Sequence, residues 1–481
     1  MSTVTLRYGD TVKTVSAEPG TGIYQILSEN GVPFAAPCGG NGRCGKCRVK
    51  VSGNVKADAD GTCLACRTVI DGDCEITLIE SEARVLTGGR TKVYPTDGEN
   101  KQFLAVDIGT TTIAAYLMDG KTGRELNHYS SLNPQRVHGA DVISRLEFAS
   151  NPESALLMKD EIEQTMRTAL NAMGARSEDT PRCYVGNTVM MHIAAGYETD
   201  GLARAPFRPY YTAAHTAQLG GADVYLGGCI SGYVGADTVA ASLACDIDKA
   251  EDTVLLIDIG TNGEIVLKHN GHLACCSCAA GPAFEGAHIK CGSGAVEGAI
   301  DHVERNEAGE YTYTAIGTKE PVSLCGSALV DAVALLIEDE LISPSGRMKE
   351  KVSISRNVYI DPSDIREVQL AKAAIAAGIE ILLNDAGISA EDVDRVLIAG
   401  GFGNYIRVSS ACTIGMLPRA FEDKVTVVGN AAGDGAKLMC LSSEARNRAA
   451  WLRDNTRYIE LSAEEDFQDI FTDMLLFEEE D

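Results

Sequence analysis

The sequence has 481 residues, 45% of them apolar, which is core material for roughly two to four soluble domains and excludes disorder as a description of the whole. Its 42 Lys and Arg against 68 Asp and Glu give a net charge of −26, so nucleic acid and anionic membrane surfaces are repelled. The first residues lack a secretion-type leader and no run approaches the ~18 apolar residues of a membrane span, so the expected location is cytoplasmic, where 16 cysteines point to metal or redox chemistry rather than a disulfide framework.

Residues 4–8 alternate, Gly9-Asp10 turns, residues 11–15 alternate again, and residues 23–27 have helical spacing that ends at Gly31. After a cysteine-rich loop, residues 48–51, 67–70 and 75–79 read as strands, the last two joined by an Asp71-Gly72 turn. A mixed sheet on one helix, a β-grasp-like module, is the economical fold for residues 1–80. Residues 81–100, with Gly88-Gly89, Pro95 and Gly98, lose periodicity and read as a linker.

Beyond the linker the chain repeats itself. Apolar residues 103–106 run into Asp107-Ile108-Gly109-Thr110-Thr111, and residues 253–257 run into Asp258-Ile259-Gly260-Thr261-Asn262. Two α/β lobes built alike, residues 101–250 and 251–481, follow from a repeat of that size. Residues 156–173 and 365–383 read as helices, the second behind Ser363-Asp364 as caps. Ser462 and Glu465 read as a capping box for a C-terminal helix.

Cys38, Cys44 and Cys47 stand on a loop with four glycines, where backbone N–H groups can approach bound sulfides. Residues 40–46 also fit G-x4-G-K, but Cys47 stands where a phosphate loop needs Ser or Thr to hold magnesium. The spacing of Cys44, Cys47, Cys63 and Cys66 is compatible with zinc, which would leave Cys38 and the glycines unexplained. With a fourth cysteine in Leu64-Ala65-Cys66-Arg67, the pattern resembles the plant- and vertebrate-type [2Fe-2S] ferredoxins over residues 1–80. The resemblance implies ligation by Cys38, Cys44, Cys47 and Cys66, with Cys66 taken over Cys63 and Cys74.

A strand ending in Asp-x-Gly-Thr sets a carboxylate beside a tight turn whose N–H and hydroxyl groups can receive phosphate oxygens. A third element, residues 396–399 running into Gly400-Gly401-Phe402-Gly403, adds a backbone-exposed loop suited to an adenine ring. In this order the elements resemble the actin, sugar-kinase and heat-shock-chaperone superfamily of two-lobed (ASKHA-type) ATPases, with residues 231–238 and 429–436 at the places of its hinge helices. The resemblance implies that Asp107 and Asp258 hold hydrated Mg2+. It further implies that the Gly109 and Gly260 turns with Thr110, Thr111, Thr261 and Asn262 meet the phosphates of ATP, and that residues 400–403 face adenosine. Either Glu264 or Asp237 then positions the attacking water.

Cys275, Cys276, Cys278 and Cys291 read as small buried thiols, His192 as a hydrogen-bonded core histidine, and residues 205–209 as a shaped loop, with a partner contact through Arg208 as the lesser alternative. The complete order of modules, with Asn133-Pro134-Gln135, Gly186-Asn187-Thr188 and residues 280–287, is similar to the reductive activators of corrinoid proteins. That resemblance implies ATP-dependent reduction of cobalt(II) to cobalt(I) in the corrinoid protein of a methyltransferase system. It also implies an external low-potential electron donor and admits a homodimer. Two other readings are a small-molecule kinase with a redox-sensing module and an electron-transfer scaffold with an inert ATPase fold.

Overall fold

The computed structural model describes residues 1–8, 11–30, 32, 47–58, 60–78, 92–139, 141–175, 177, 179–317 and 320–477. Strands β1 (Ser2–Tyr8), β2 (Thr11–Ala17), β3 (Arg48–Val55), β4 (Thr62–Leu64) and β5 (Ile70–Leu78) form one sheet in the order β2-β1-β5-β3-β4. Helix α1 (Ile23–Glu29) closes its apolar face, and Val4, Leu6, Ile23, Leu27, Ile70 and Ile76 make a small core of their own. The Asp71-Gly72 turn expected from the sequence is absent, because both residues run inside β5. The ladder is nevertheless irregular at this point: the register passes from Gly53–Cys74 to Val55–Ile70, so Asp71, Gly72 and Asp73 stand opposite Asn54, and Gly53 adopts a positive φ.

The first lobe contains β6 (Gln102–Ile108), β7 (Thr112–Asp119), β8 (Glu125–Leu132), β9 (Arg182–Gly186), β10 (His215–Leu219) and β11 (Ala222–Leu226), ordered β10-β11-β9-β6-β7-β8. Helices α2 (Val142–Ala149), α3 (Pro152–Met173), α4 (Thr188–Ala195) and α5 (Ala236–Ala244) belong to it. The second lobe contains β12 (Val254–Ile259), β13 (Gly263–His269) and β14 (His272–Cys278). Smaller sheets follow in β15 (Ala299–Arg305), β16 (Tyr311–Ala315), β17 (Ser323–Leu324), β18 (Val352–Ser353) and β19 (Tyr359–Ile360). Strands β20 (Arg395–Ala399), β21 (Val425–Gly429) and β22 (Thr456–Tyr458) complete the large sheet, ordered β21-β20-β12-β13-β14-β22. Its helices are α6 (Gly326–Glu338), α7 (Pro362–Ala386), α8 (Val408–Thr413), α9 (Ala431–Leu441), α10 (Ser443–Asn455) and α11 (Phe467–Asp473).

The internal echo is therefore topological. In each lobe three antiparallel strands meander from the Asp-x-Gly-Thr strand, and a later strand joins that strand in parallel: β9 beside β6, β20 beside β12. Burial on both faces explains why residues 103–106 and 254–257 are continuous apolar runs rather than alternating ones. Helices α5 and α9 pack together between the two large sheets, which puts this helix pair directly behind the two turns.

Two helix starts differ from the sequence expectation. Helix α7 begins at Pro362 behind Asp361, which accepts from Ser363 N while Asp364 returns a carboxylate oxygen to Asp361 N at 2.9 Å, so Ser363 and Asp364 lie inside the first turn. Ser462 does not cap α11. Its N–H and hydroxyl both donate to Glu460 in a short 3-10 turn, and Asp466 precedes the helix instead.

Candidate functional site: paired Asp-x-Gly-Thr turns and a thiol pair

The first turn is held by polar groups that converge from three elements. A Cβ at Gly109 would stand 2.7 Å from Thr112 O, so only glycine permits the chain to double back there. Asn133 donates through Nδ2 to Gly109 O at 2.8 Å, buried Arg145 through Nη2 to Thr110 O at 2.5 Å, and Asn187 through Nδ2 to Thr110 Oγ1 at 2.9 Å. Asn133 and Asn187 are also the caps of the 3-10 turn at Pro134–Val137 and of α4, so ordinary capping residues fix the turn.

In the second turn Asp258 is paired across the ladder with Glu264, whereas the equivalent partner of Asp107 is Ala114. The lobes thus share a backbone but not their carboxylates. Gly400 has φ +94, and a Cβ there would stand 2.7 Å from Asp258 Oδ1, so the loop of residues 400–403 lies against this carboxylate. Within it, Gly401 is exposed, Gly403 is buried, and the Phe402 ring stacks on Phe284 with centroids 4.9 Å apart. Asp237 occupies the first turn of α5 and accepts Thr238 N through Oδ1 at 2.8 Å.

Asp107, Asp258, Asp237 and Glu264 are each partly open to solvent yet set deep among protein atoms. Burial, against a hydrogen bond from Asn430 and with the charge of Asp258, pushes Asp107 up to about 7. Burial alone lifts Asp258 to about 6. Burial with the charges of Asp107 and Asp258 takes Asp237 to about 7, and burial with Asp237 and Asp258 holds Glu264 well above the usual carboxylate range. Three of the four therefore feel the charge of a neighbouring acid, which places these carboxylates in one cluster between the turns.

Sequence reasoning missed two residues of this site. Glu285, in the 3-10 turn Pro282–Glu285, accepts the Thr111 hydroxyl at 3.0 Å and the Thr261 hydroxyl at 2.9 Å on the same oxygen, Oε2. Burial raises its pKa, while those two hydroxyls and the charges of Arg136 and Arg145 lower it. Asn430, the cap of α9, donates through Nδ2 to Asp107 Oδ2 at 3.0 Å. One turn further along α9, Asp434 receives Lys92 and the Tyr94 hydroxyl, each at 2.7 Å, and buried Lys437 at 3.2 Å. Tyr94 N also donates to Gly123 O at 2.9 Å, so residues 92–97 are strapped to the first lobe and to the hinge helix at once.

In the N-terminal sheet, Cys47 and Cys66 bring their sulfurs to 3.1 Å, and Cys66 N points to Cys47 Sγ at 3.4 Å. Cys63 and Cys74 face the small core, where burial raises both thiols. Cys38 and Cys44 lie outside the described residues. A half-buried thiol beside a buried one, served by a backbone N–H, fits half of a sulfur-ligated iron centre. The second-lobe thiols differ: Cys276 and Cys278 donate to the carbonyls of Gly378 and Gly263 inside the sheet core. His192 is likewise a core residue, between Thr188 O at 2.7 Å and Tyr210 N at 3.0 Å.

Residues 7–71 match the 2Fe-2S iron-sulfur cluster binding domain, residues 103–250 the RACo middle region, and residues 252–481 the C-terminal domain of RACo, the ASKHA domain. The corrinoid activation enzyme RamQ of Eubacterium limosum is 35% identical over 413 residues, covering 76% of this chain and 69% of the relative. The chain belongs to the family of reductive activators of corrinoid proteins. A second activator, the [Co(II) methylated amine-specific corrinoid protein] reductase of Methanosarcina barkeri, is 24% identical over 366 residues, covering 68% of this chain and 67% of the relative. The solved structure of a reductive activator for a corrinoid, iron-sulfur protein superposes with a TM-score of 0.72 at 25% identity, over 99% of this chain and 98% of that one. The activator fold thus spans the thiol pair and the paired turns alike.

Proposed function

We propose that this activator reduces the corrinoid protein of a methyltransferase system from cobalt(II) to cobalt(I), one electron at a time, with hydrolysis of ATP in the cleft between the lobes. The observation that carries the reading is the presence, in one chain, of the Cys47–Cys66 pair and of two opposed Asp-x-Gly-Thr turns.

A [2Fe-2S] cluster, when bound by Cys38, Cys44, Cys47 and Cys66, supplies a single low-potential electron. Plant-type ferredoxins lie near about −400 mV, and each 59 mV of one-electron deficit is about a tenfold adverse equilibrium, so a harder reduction needs ATP as a driving force. An external low-potential donor completes the electron balance.

In the cleft, Asp107 and Asp258 would hold Mg2+, whose charge offsets that developing on the phosphates. Mg2+ keeps several waters and takes one or two carboxylates plus phosphate, which is what the two aspartates and a nucleotide would offer it. The backbone N–H groups of the Gly109 and Gly260 turns receive phosphate oxygens, and residues 400–403 cover adenosine. Asp237 orients the water that attacks the terminal phosphorus; the bridging P–O bond breaks, and ADP leaves. Between Asp237 and Glu264 the choice falls on Asp237, which stands in the first turn of α5 and spends only Oδ1 on Thr238 N, whereas Glu264 is tied into the sheet by the Ser277 hydroxyl at 3.3 Å.

Lobe motion reaches the redox module through α9. Its cap Asn430 touches Asp107, and its Asp434 grips Lys92 and Tyr94 of the strap that leads towards the N-terminal sheet. A cytoplasmic homodimer belongs to the same proposal. No helix among the described residues is long and apolar enough to cross a membrane.

The test is the cobalt(I) absorption band, followed anaerobically with a panel of corrinoid proteins. It should appear only when a reductant and hydrolysable ATP are both present. Its appearance with reductant and AMPPNP, or its absence with every partner while a small metabolite becomes phosphorylated, overturns the reading.

A further inference from the structure

The contacts of Glu285 divide the three threonines of the phosphate turns into two chemical kinds. A hydroxyl has one proton to donate and two lone pairs to offer. Thr111 and Thr261 each direct that proton to Glu285 Oε2, at 3.0 and 2.9 Å. Thr110 does the reverse: its oxygen accepts from Asn187 Nδ2 at 2.9 Å, which leaves its proton to give elsewhere. Ionised phosphate oxygens accept hydrogen bonds and donate none, so a hydroxyl whose proton is held by a carboxylate has nothing to offer them. Such an oxygen can still face a cation or the hydrogens of its coordinated waters.

We propose that Glu285 is a positioning residue of the ATPase centre, which by taking the protons of Thr111 and Thr261 turns both oxygens into acceptors for hydrated Mg2+, leaving Thr110 as the phosphate donor. The inference rests on the nucleotide reading of the cleft and refines it, since the sequence alone assigned all three threonines to phosphate. Because Thr111 belongs to the first lobe while Thr261 and Glu285 belong to the second, one carboxylate aligns the metal side of both turns. Burial raises the carboxyl's pKa, and the two hydroxyls together with the nearby charges of Arg136 and Arg145 oppose that rise.

The experiment measures AMPPNP affinity of the full-length protein by anaerobic calorimetry, once in saturating Mg2+ and once in EDTA, and takes the ratio of the two. Glu285→Ala, Thr111→Val and Thr261→Val should each lower that ratio ~10-fold, the worth of one charge-assisted hydrogen bond, with affinity in EDTA changed by less than about twofold. Glu285→Gln, which keeps the shape and one acceptor oxygen, should fall between, and Thr261→Ser should restore the ratio. Thr110→Val should weaken binding equally in both conditions. Adding Thr261→Val to Glu285→Ala should cost nothing more, because the two act as a unit. An unchanged ratio in both Glu285 variants overturns the inference, and so does a Thr110→Val ratio that falls as far as that of Thr261→Val. If Glu285→Ala does not fold, the isosteric Glu285→Gln decides. Wild-type protein that binds AMPPNP in neither condition removes the nucleotide reading itself, which is a separate result.

Discussion

Asn430 Nδ2 lies 3.0 Å from Asp107 Oδ2, so the residue that starts the hinge helix of one lobe holds the carboxylate of the other. The same side chain accepts Gly433 N at 2.8 Å as the cap of α9. Its two duties can be separated by substitution. Asn430→Ala removes both and should lower stability by about 1 kcal/mol, the usual value of a cap. Asn430→Ser keeps a capping hydroxyl and should restore most of that stability. In both variants the loss of a hydrogen bond to a charged acceptor should cut ATP turnover at least ~10-fold. Thermal melts and steady-state ATPase rates check the split; wild-type turnover in Asn430→Ser would show that the contact is only structural.

The proposed hydrolysis gives the attacking water to Asp237 rather than Glu264, and substitution separates the two. Asp237→Asn should slow hydrolysis by ~100-fold or more, the scale of a positioned general base, while Glu264→Gln should stay within a few-fold of wild type. The Asp237 substitution should also stabilise the fold. Its folded-state pKa of about 7 stands above the 3.8 of a free aspartate, so its favourable contribution exists below the unfolded value and is lost as pH rises through 7. At pH 8 the Asn variant should therefore gain about 1–3 kcal/mol after allowance for partial exposure, and the gain should vanish near pH 4. Rates and denaturant midpoints at both pH values test this, and a slow, unstabilised Asp237→Asn would argue for a lost structural contact instead.

The choice of the fourth cluster ligand is equally open to measurement. Cys66 touches Cys47, whereas Cys63 is the ladder partner of Val49 and faces the small core. In anaerobically prepared protein, iron and sulfide should reach the 2Fe-2S stoichiometry in Cys63→Ser and fall in Cys66→Ser, with the visible bands following. A normal spectrum in Cys66→Ser with its loss in Cys63→Ser reverses the assignment, and full zinc occupancy removes it.

The parts of this molecule that were legible in the sequence are those whose signal is local. An apolar strand ending in Asp-x-Gly-Thr announces its turn within ten residues, and its recurrence announced two lobes whose sheets share one meander. Glu285 could not be read in that way. It lies in a loop of small residues, and its importance arises only when Thr111 of the other lobe is folded against it. Cys63 and Cys66 are three residues apart, and spacing alone offers both; the register of β4 against β3 turns one into the core and leaves the other beside Cys47. The failed turn at Asp71-Gly72 has the same cause. Those residues favour a turn in isolation, but Ile70 on one side and residues 74–78 on the other are paired in the ladder, so Asp71 and Gly72 are taken up as an irregularity within the strand.

His192 gives a pH-dependence that does not involve the catalytic acids. Its Nδ1 lies 2.7 Å from Thr188 O and its Nε2 faces Tyr210 N at 3.0 Å, so the neutral ring donates at one nitrogen and accepts at the other. A second proton would set N–H against N–H inside the core, and burial holds the imidazole down at about 4, against 6.5 for the free group. The depressed value means that the unfolded chain binds the proton more readily. The contribution of His192 is therefore complete above pH 6.5 and is lost as pH falls towards 4, by roughly 3 kcal/mol in all. Carboxylates with raised values act in the opposite sense over the same range, so wild-type stability alone will not isolate it. His192→Gln can keep an acceptor near Tyr210 N without a titrating proton. The difference in unfolding free energy between wild type and this variant should be steady from pH 8 to 7 and should shift in favour of the variant below 6.5. A difference that stays flat down to pH 5 would mean that the ring is protonated as easily in the folded protein as in the unfolded chain.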